Sequence, residues 1–420
     1  MKLLIIGAGG VGTSAATILK RAGKEGEWAE KVVLADYNFT RAEAVAGLCG
    51  SGRFIPARID ARDRQSIKDV IQREGIDFVL NAVEPLFNES VFDACFEADA
   101  GYIDCAMTLS KPHPEKPFEK VHVKLGDYQF ERHEAWRAAG NTAIVGSGVE
   151  PGMVDVFARY AADNLFDTVD EVNIRDGDNY SGGGFGFSVW ATIEECLNPP
   201  LIWEKGRGWF TTARFSDPET FNFPGGIGNV EVVNVEHEEV VLIPRMIDCN
   251  RVTFKYGVSR EFRQFLLNLE AAGMTDRDRL IAVGKEKITP RDFLIKTLPG
   301  PIETGGAVEG CGCAGAWIKG VKDGKQRSVY LYQVADNQDC IKKYTTNSVV
   351  AQTAAGPVIM LELLDSGIWN LKGVHGPESF PPVPFIERLE KYGFPAGMHE
   401  MDSEYAASQD KQNLRSTFPR

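Results

Sequence analysis

The sequence predicts an α/β protein in which a doubly wound parallel sheet is followed by a second, α+β domain with a mixed sheet. Three observations lead to this prediction. A glycine-rich turn joins an apolar run to a helical pattern at the amino terminus, strand and helix signals alternate over residues 1–150, and strand signals dominate after residue 151. The 420 residues are enough for two or three domains with full cores.

The first 150 residues contain short apolar runs separated by amphipathic segments. Because the runs are apolar throughout, both faces of the predicted sheet are covered, which is typical of parallel strands. Right-handed crossovers between such strands give the Rossmann arrangement. The predicted strands are Leu3–Ile6, Val32–Ala35, Phe54–Ile59, Phe78–Ala82, Tyr102–Cys105 and Thr142–Val145, and the predicted helices are Val11–Arg21, Arg41–Cys49, Asp63–Glu74, Asn88–Asp99 and Tyr128–Ala139.

One connection in this domain is longer than a Rossmann unit needs. The segment from Met107 to Asp127 contains three prolines, two histidines and four lysines. Long ordered loops in compact domains are usually functional or mobile. We therefore keep two interpretations, a lid over a substrate and a solvated loop.

The second domain is predicted to begin with a helix at Pro151. Its predicted strands are Val169–Ile174, Phe185–Trp190, Val230–Val235, Arg251–Tyr256 and the hairpin pair Gly315–Val321 and Ser328–Val334, with helices near Glu261–Ala271 and Pro290–Lys296. Asn347–Leu364 is apolar on most sides, as a helix buried between layers would be. The predicted division is 1–150 completed by 347–400 as one domain, 151–346 as the second, and 401–420 as a flexible tail.

Composition excludes several classes of function. A net charge of −13 argues against a nucleic-acid partner, because phosphate binding needs basic patches. The sequence has no apolar stretch near the roughly 20 residues that cross a bilayer. The eight cysteines match neither a zinc site nor a disulfide framework. We expect a cytoplasmic protein with no metal and no membrane partner.

The amino-terminal segment has the pattern of a dinucleotide-binding turn. Gly7 permits the tight turn, Gly9 lets the backbone approach a pyrophosphate, and Gly12 lets the helix pack closely on the sheet. Asp36 ends the next strand, where a carboxylate binds the ribose hydroxyls of NAD and repels the extra phosphate of NADP. We predict NAD, with NADP as the alternative because Arg41 follows. The predicted cofactor-binding residues are Gly7, Gly9, Gly10, Val11, Gly12, Asp36, Asp60, Asn81, Ala82 and Cys105.

Three of these residues have a second interpretation. Asp60 either faces the adenine or caps its strand, and Asn81 either bonds the cofactor or satisfies a turn. Cys105 has no evident basic partner, so a small buried side chain is favoured over a reactive thiol.

Within the segment 235–245, His237, two of the carboxylates (Glu238 and Glu239) and Arg245 lie close together in sequence. Hydride transfer to or from a C–N bond also needs a proton carrier, for which histidine suits near neutral pH. Arginine binds an amino acid carboxylate bidentately, and the acids would hold an ammonium group. A solvated strand edge is the alternative. The predicted catalytic residues are His237, Glu238 and Asp104, and the predicted substrate-binding residues are Arg245, Glu239, Glu150 and Gly152.

An ordered set of motifs resembles the saccharopine dehydrogenase family over nearly the whole chain. The motifs are Gly-Ala-Gly-Gly-Val-Gly12, Asn81-Ala-x-x-Pro85, Tyr102-Ile-Asp-Cys105, Gly148-Val-Glu-Pro-Gly-Met-Val154 and Gly320-Val-Lys-Asp-Gly-Lys325. The resemblance implies an NAD(P)-dependent homodimer that makes or breaks a C–N bond through an imine. Its substrates would be small molecules: an amino acid or diamine, and an oxo acid or aldehyde.

Two segments resemble different members of that family. Leu34-Ala-Asp-Tyr-Asn38 resembles the NAD-dependent lysine dehydrogenase type, whereas Glu236-His-Glu-Glu239 resembles the carboxynorspermidine type. Saccharopine is the leading substrate expectation. Carboxynorspermidine or carboxyspermidine dehydrogenase and lysine 6-dehydrogenase are the alternatives, and a non-catalytic NAD-sensing regulator is the alternative from another class.

Overall fold

Two β-sheets organise the chain in the computed structural model, which describes residues 1–50, 52–182, 185–298 and 308–404. Within these residues the first sheet has seven parallel strands and the second has nine strands of mixed direction, so the predicted fold class is confirmed. The helices are α1 (Gly10–Arg21), α2 (Phe39–Cys49), α3 (Arg64–Glu74), α4 (Asn88–Glu97), α5 (Asp127–Phe130), α6 (His133–Ala138), α7 (Met153–Asn164), α8 (Val189–Leu197), α9 (Glu239–Met246), α10 (Arg260–Ala271), α11 (Pro290–Thr297), α12 (Asn337–Tyr344), α13 (Ser348–Asp365) and α14 (Val383–Lys391).

The strands follow the same numbering by chain order. They are β1 (Lys2–Ile6), β2 (Lys31–Asp36), β3 (Phe54–Arg58), β4 (Phe78–Asn81), β5 (Gly101–Asp104), β6 (Thr142–Ile144), β7 (Thr168–Asp178), β8 (Leu201–Glu204), β9 (Gly208–Thr211), β10 (Glu219–Phe223), β11 (Gly228–Asn234), β12 (Arg251–Tyr256), β13 (Ile281–Val283), β14 (Glu286–Ile288), β15 (Cys311–Lys322), β16 (Lys325–Asp336), β17 (Gly373–His375) and β18 (Ala396–Glu400).

The parallel sheet has the strand order β17-β6-β5-β4-β1-β2-β3. All its neighbours pair in parallel, and the side chains of its inner strands are buried on both faces. Continuous apolar runs produce this burial, as the sequence predicts. The carboxyl ends of β1, β2, β4 and β5 therefore lie along one edge of the sheet.

Helix α1 lies close to β1 because position 12 is a glycine. A Cβ at Gly12 would lie 1.8 Å from the backbone oxygen of Gly7. Gly7 itself has a φ of 104°, in the left-handed region that glycine tolerates best. Gly7 thus permits the turn, and Gly12 permits the start of α1 to pack closely against that turn.

The mixed sheet is built around β7. Strand β12 pairs with β7 in parallel, and β15 pairs with its other side in the antiparallel direction. In this register Tyr256 of β12 lies beside Asp176 of β7, and Phe254 lies beside Ile174. Side chains at the ends of these two central strands consequently lie next to each other on one face.

Helix α13 connects the two parts of the chain. It packs against α1, where a Cβ at Gly10 would lie 3.0 Å from Val350. By length and composition α13 is apolar enough to cross a membrane, yet 78% of it is buried inside the protein, as in a core helix. After α13, β17 pairs with β6 of the parallel sheet, whereas β18 pairs with β16 of the mixed sheet.

Several predicted elements differ from the structure. The predicted strand Phe185–Trp190 is wrong: α8 starts at Val189, and the Ser188 hydroxyl caps it by accepting a hydrogen bond from the N–H of Ala191 at 3.2 Å. The helix expected at Pro151 begins at Met153. The predicted helix Tyr128–Ala139 is divided into α5 and α6, and most of the predicted tail, 405–420, lies outside the described residues.

We expect Gly12→Ala to lower stability by about 1–3 kcal/mol, because its methyl group collides with the backbone of the turn. Thermal unfolding and NAD(P)H titration would measure the effect, and cofactor affinity should fall with the melting temperature. Gly47→Ala is the matched control, since a Cβ on that helical residue meets nothing within 4 Å. A melting temperature equal for both variants would contradict this account of α1.

Candidate active site

A cavity of about 780 Å³ lies between the carboxyl edge of the parallel sheet and the mixed sheet. Its wall combines residues from the glycine-rich turn, the ends of β2, β4, β7 and β12, helices α8 and α11, and the start of α13. Ligands of open α/β sheets bind at this edge.

The glycine-rich turn forms one end of the cavity. Gly7, Gly9, Gly10 and Val11 all line it. No side chain caps the start of α1, whose N-cap is Gly9, so the first backbone N–H groups of this helix are available to an anion.

The carboxylates of Asp36 and Asp60 line this end of the cavity, and their environments differ. Asp36 is buried and accepts hydrogen bonds from the N–H groups of Ala8, at 3.0 Å, and Asn38, at 2.8 Å. Asp60 is more exposed and is paired with Arg62, whose hydrogen bonds lower the pKa of Asp60 to about 2. Asp36 is therefore the carboxylate held rigidly by the turn.

Asn81, Ala82 and Cys105 line the centre of the cavity. The Asn81 amide nitrogen donates hydrogen bonds to Asn88, at 2.8 Å, and to the Tyr102 hydroxyl, at 3.0 Å, while its buried Oδ1 has no partner. Burial raises the pKa of the Cys105 thiol, as expected of an unreactive side chain. The structure thus leaves Asn81 one free acceptor for a ligand.

These features fit a nicotinamide dinucleotide. The open helix start suits a pyrophosphate, Asp36 suits a ribose, and the free Oδ1 of Asn81 suits an amide or hydroxyl donor. When bound, this cofactor supplies or accepts a hydride.

The other end of the cavity is lined by carboxylates from both halves of the chain. They reach it from the turn after β4, the turn before α7, the end of β7, helix α8 and the residue before α9. The five residues are Glu84, Glu150, Asp176, Glu195 and Glu238. A concentration of acids in a buried site suits a cationic ligand.

Burial is the main cause of the raised pKa values of these carboxyl groups. It raises the pKa of Glu238 to about 8 and, with the nearby charge of Asp178, that of Asp176 to about 8. Burial and the charge of Asp176 raise the pKa of Glu150 well above its usual range, and burial also raises that of Glu195. A positively charged ligand would favour the ionised forms.

His237 lies within this group of acids. Its Nδ1 is 2.7 Å from Glu239 Oε2 and 3.4 Å from Glu238 Oε2, and its ring stacks on Phe254 with centroids 3.9 Å apart. Burial alone would lower the pKa of His237, but the charge of Glu239 and its hydrogen bond to the ring raise that pKa well above its ordinary value. The ring is therefore an imidazolium at neutral pH.

His237, Glu238 and Glu239 have ligand-type atoms within 4.8 Å of one another. The hydrogen bond between His237 and Glu239 already accounts for that spacing. The absence of a metal stays a prediction, which elemental analysis of the purified protein would test.

Cations within the described lining lie mainly at the cofactor end. Arg41 is 3.8 Å from Asp36, and Arg62 is paired with Asp60. Lys296 reaches the cavity from α11. The carboxylate end is thus better suited to an ammonium group than to a second carboxylate.

The structure places two predicted site residues outside the cavity. Asp104 is buried beneath it, where it accepts hydrogen bonds from Tyr102, Gln129 and the N–H of Gly146. Burial raises the pKa of Asp104 to about 7. Arg245 is in the last turn of α9 and stacks on Phe130, because the helix carries it away from His237. Neither side chain lines the site, so direct roles in catalysis and carboxylate binding are not supported.

Three other predicted residues lie behind the cavity wall. Glu239 contacts the ligand space only through His237, and Gly152 packs against the backbone of Gly148 at the start of α7. Gly12 serves the packing of α1. The segment 107–127 lies against the second sheet, with Lys124 over the ring of Trp209, and no residue of it lines the cavity.

Sequence reasoning missed Asp176, Glu195, Phe254 and Tyr256, which all line the cavity. A signal existed for two of them. Asp176 and Tyr256 lie near the carboxyl ends of parallel strands, where ligands of α/β sheets bind. Glu195 is in α8, a helix that the sequence analysis did not predict.

Two family models match the chain in succession. The saccharopine dehydrogenase NADP binding domain matches residues 3–144, and the saccharopine dehydrogenase C-terminal domain matches residues 148–394. Among solved structures, the apo saccharopine dehydrogenase (L-Glu forming) of Saccharomyces cerevisiae superposes with a TM-score of 0.65 at 16% identity, over 96% of this chain and 100% of that one. This likeness shows a shared fold.

Curated relatives match over nearly their whole length. The carboxynorspermidine synthase of Vibrio alginolyticus is 28% identical over 414 residues, which cover 96% of this chain and 98% of that protein. The carboxyaminopropylagmatine dehydrogenase of Synechocystis sp. is 28% identical over 402 residues, which cover 94% and 96%.

We expect Asp36→Ser to shift cofactor preference from NADH towards NADPH by roughly tenfold or more, because it removes the carboxylate that repels a 2′-phosphate and leaves Arg41 free to bind it. The ratio of kcat/KM values for the two cofactors measures this shift. Asp69→Asn, on the exposed face of α3, is the control. An unchanged ratio in the Asp36 variant would exclude Asp36 as the determinant.

Proposed function

Because this chain belongs to the saccharopine dehydrogenase family, we propose that it joins a diamine to an amino acid aldehyde by reducing the imine formed between them. The predicted family is confirmed, and the chain is an NAD(P)-dependent oxidoreductase that acts on CH–NH bonds. The proposal concerns the identity of the amine and of the carbonyl compound.

The carboxylate end of the cavity is the observation that carries this proposal. A diamine brings two ammonium groups, which the four acids that line this end of the cavity, Glu150, Asp176, Glu195 and Glu238, are able to bind. Phe254 and Tyr256 add the apolar and aromatic surface that an alkyl chain needs. Saccharopine carries several carboxylates, and the arginines of the described lining lie at the cofactor end instead.

The curated relatives support the same substrate class. Both are named for carboxylated polyamine-type products, carboxynorspermidine and carboxyaminopropylagmatine. A carboxylated aminopropyl group on an amine is what reduction of an imine between a diamine and aspartate semialdehyde would leave. The relatives' names and the acidic cavity thus favour the diamine over saccharopine, which the family resemblance placed first.

The side chains of the cavity suggest how protons move in this reaction. Glu238 would take the proton from the attacking ammonium, so that the free amine adds to the aldehyde carbon. Glu238, now protonated, would give that proton to the departing hydroxyl, which leaves as water while the C=N bond forms. His237, held as an imidazolium by Glu239, would then supply the next proton to Glu238. When bound, a nicotinamide cofactor would supply the hydride that this reduction needs.

A substrate panel tests the proposal directly. Purified enzyme is offered NADPH or NADH with aspartate semialdehyde and 1,3-diaminopropane, putrescine or agmatine, and separately NAD⁺ or NADP⁺ with saccharopine or lysine. We expect reductive turnover with at least one diamine pair. Turnover confined to saccharopine or lysine would overturn the proposal. Binding of cofactor without turnover of any pair would favour the NAD-sensing regulator.

We expect Glu195→Gln and Asp176→Asn to raise the KM of the diamine by roughly 10- to 100-fold, because each removes one charged hydrogen-bond partner of an ammonium group. The KM of the aldehyde and the Kd of NADPH should change little. Glu261→Gln, on the exposed face of α10, is the matched control. Equal effects on the KM of the diamine and of the aldehyde would contradict an ammonium-binding role.

Diamine binding should also release protons. Asp176 and Glu238, with pKa values of about 8, are largely protonated at pH 7, and neighbouring ammonium groups would lower those values. We expect release of roughly one proton per diamine at pH 7 and little above pH 9, where both groups are already ionised. Calorimetry in buffers of different ionisation enthalpy measures the number. Net proton uptake at pH 7 would contradict the assignment.

Homodimer assembly and a cytoplasmic location remain expectations from the sequence. Size-exclusion chromatography with light scattering measures the first, and fractionation of the source cells measures the second.

A further inference from the structure

Three buried acids extend from His237 away from the cavity. Glu239 is the first residue of α9, Asp155 is in the first turn of α7, and Glu378 is in the short turn 377–379. Their exposed fractions are 0%, 0% and 1%, and none of them lines the cavity. Helix α7 packs against both α9 and the turn 377–379, so the three acids are on elements that touch one another.

Each of the three carboxyl groups has one oxygen without a hydrogen-bond partner. These oxygens are Glu239 Oε1, Asp155 Oδ1 and Glu378 Oε2. Two of the remaining oxygens have partners: Glu239 Oε2 binds His237, and Asp155 Oδ2 accepts the N–H of Gly152 at 2.7 Å. An unsatisfied buried acceptor costs about 1–3 kcal/mol, and more when it is charged, so each oxygen needs a proton or a water molecule.

Asp155 interacts electrostatically with each of the other two acids. Asp155 interacts with both Glu239 and Glu378, and burial together with these charges raises its pKa well above the usual range. Burial raises the pKa of Glu378 to about 7, against the lowering effect of Arg245 and Arg159. The protonated form of Asp155 is therefore favoured, and Glu378 exchanges a proton near neutral pH.

The two ends of this line differ in their access to solvent. The Arg245 and Arg159 side chains beside Glu378 are 31% and 27% exposed, so this end approaches the surface. At the other end, Nδ1 of His237 faces Glu239 at 2.7 Å and Glu238 at 3.4 Å, and Glu238 lines the cavity. His237 Nδ1 thus lies between the buried acid Glu239 and the cavity-lining acid Glu238.

We propose that Glu378, Asp155 and Glu239 form a proton path that supplies the active site from the side opposite the cavity. A proton enters at Glu378 and passes to Asp155 and then Glu239. His237 gives its Nδ1 proton to Glu238 and takes the replacement from Glu239, so the ring need not rotate. Each group loses one proton and gains one.

The need for such a path rests on the proposed function. Reducing the imine of an ammonium substrate and an aldehyde consumes one proton in total, because the ammonium, the aldehyde, the hydride and one further proton give the secondary ammonium and water. Glu238 lines the cavity, so a cofactor and substrates that fill it would separate this group from solvent on that side. The buried acids provide a second connection.

The test uses Asp155→Asn and Glu378→Gln, which keep the size and one acceptor oxygen of each side chain but carry no transferable proton. We expect kcat to fall by roughly tenfold or more while the KM values and the Kd of NADPH stay unchanged. The solvent deuterium isotope effect on kcat should rise, and the isotope effect of 4-deuterated NADPH should shrink, because proton delivery becomes limiting. The double variant should be no slower than the slower single variant.

Three further measurements separate this path from a structural role. Added imidazolium or formic acid should restore kcat of the Glu378 variant, and Glu378→Asp should be faster than Glu378→Gln. Glu387→Gln, exposed on α14, is the matched control. A kcat within twofold of wild type, or a loss of kcat with unchanged isotope effects and no rescue, would overturn the path. If Asp155→Asn fails to fold, the Glu378 variants decide.

Failure of the path and failure of the proposed function are distinguishable. A wild-type enzyme that does not turn over any diamine and aldehyde pair contradicts the proposed function, and the same variants are then measured with whichever amine the wild type accepts. A wild type that is active on the diamine pair, with variants equal to it, contradicts the path alone.

Discussion

The contact between His237 and Glu239 is the interaction around which the rest of the site is arranged. An imidazolium in a buried site is stable only beside a carboxylate, and Glu239 at 2.7 Å provides one. Glu150, Glu195 and Glu238 then surround that single positive charge. Because these acids outnumber the cation, some of them must be protonated until a positively charged ligand arrives. A positively charged ligand would therefore allow more of these acids to ionise.

The two sheets each contribute one half of that arrangement. The parallel sheet brings an uncapped helix start and Asp36 to its carboxyl edge, which is the general solution for a dinucleotide. The mixed sheet brings Asp176 and Tyr256 side by side, because β7 and β12 run in parallel and in register. Helix α13 packs on α1 and keeps the two halves together. The first sheet therefore forms the cofactor end of the cavity, and the second sheet contributes part of the carboxylate end.

The sequence allowed the cofactor half to be predicted well, and the substrate half much less so. Gly7, Gly12 and Asp36 act locally, so that their spacing along the chain already describes the turn, the helix packing and the strand end. The carboxylates beside His237 come from elements far apart in sequence, and which of them meet depends on strand order and register. Arg245 shows the same limit in reverse: eight residues from His237 in sequence, it is carried away by a helix that the pattern did not predict. Glu195 was missed because the sequence analysis placed a strand at Phe185–Trp190 and assigned no helix to the segment that forms α8.

The same separation explains why family membership identifies the reaction but not the substrate. Every amine substrate of such a site has a carbon next to nitrogen that gives or accepts the hydride. The cofactor end of the cavity therefore does not distinguish one amine from another. Discrimination must come from groups that are charged differently in competing substrates, and in this chain those groups are carboxylates. Replacing a substrate carboxylate by an ammonium reverses the sign of its interaction with each buried acid. At short distance in a poorly solvated cavity, that reversal is larger than the effect of adding or removing a methylene group. The acid content of the second domain is consequently the feature by which a diamine-using enzyme would differ from one that uses saccharopine.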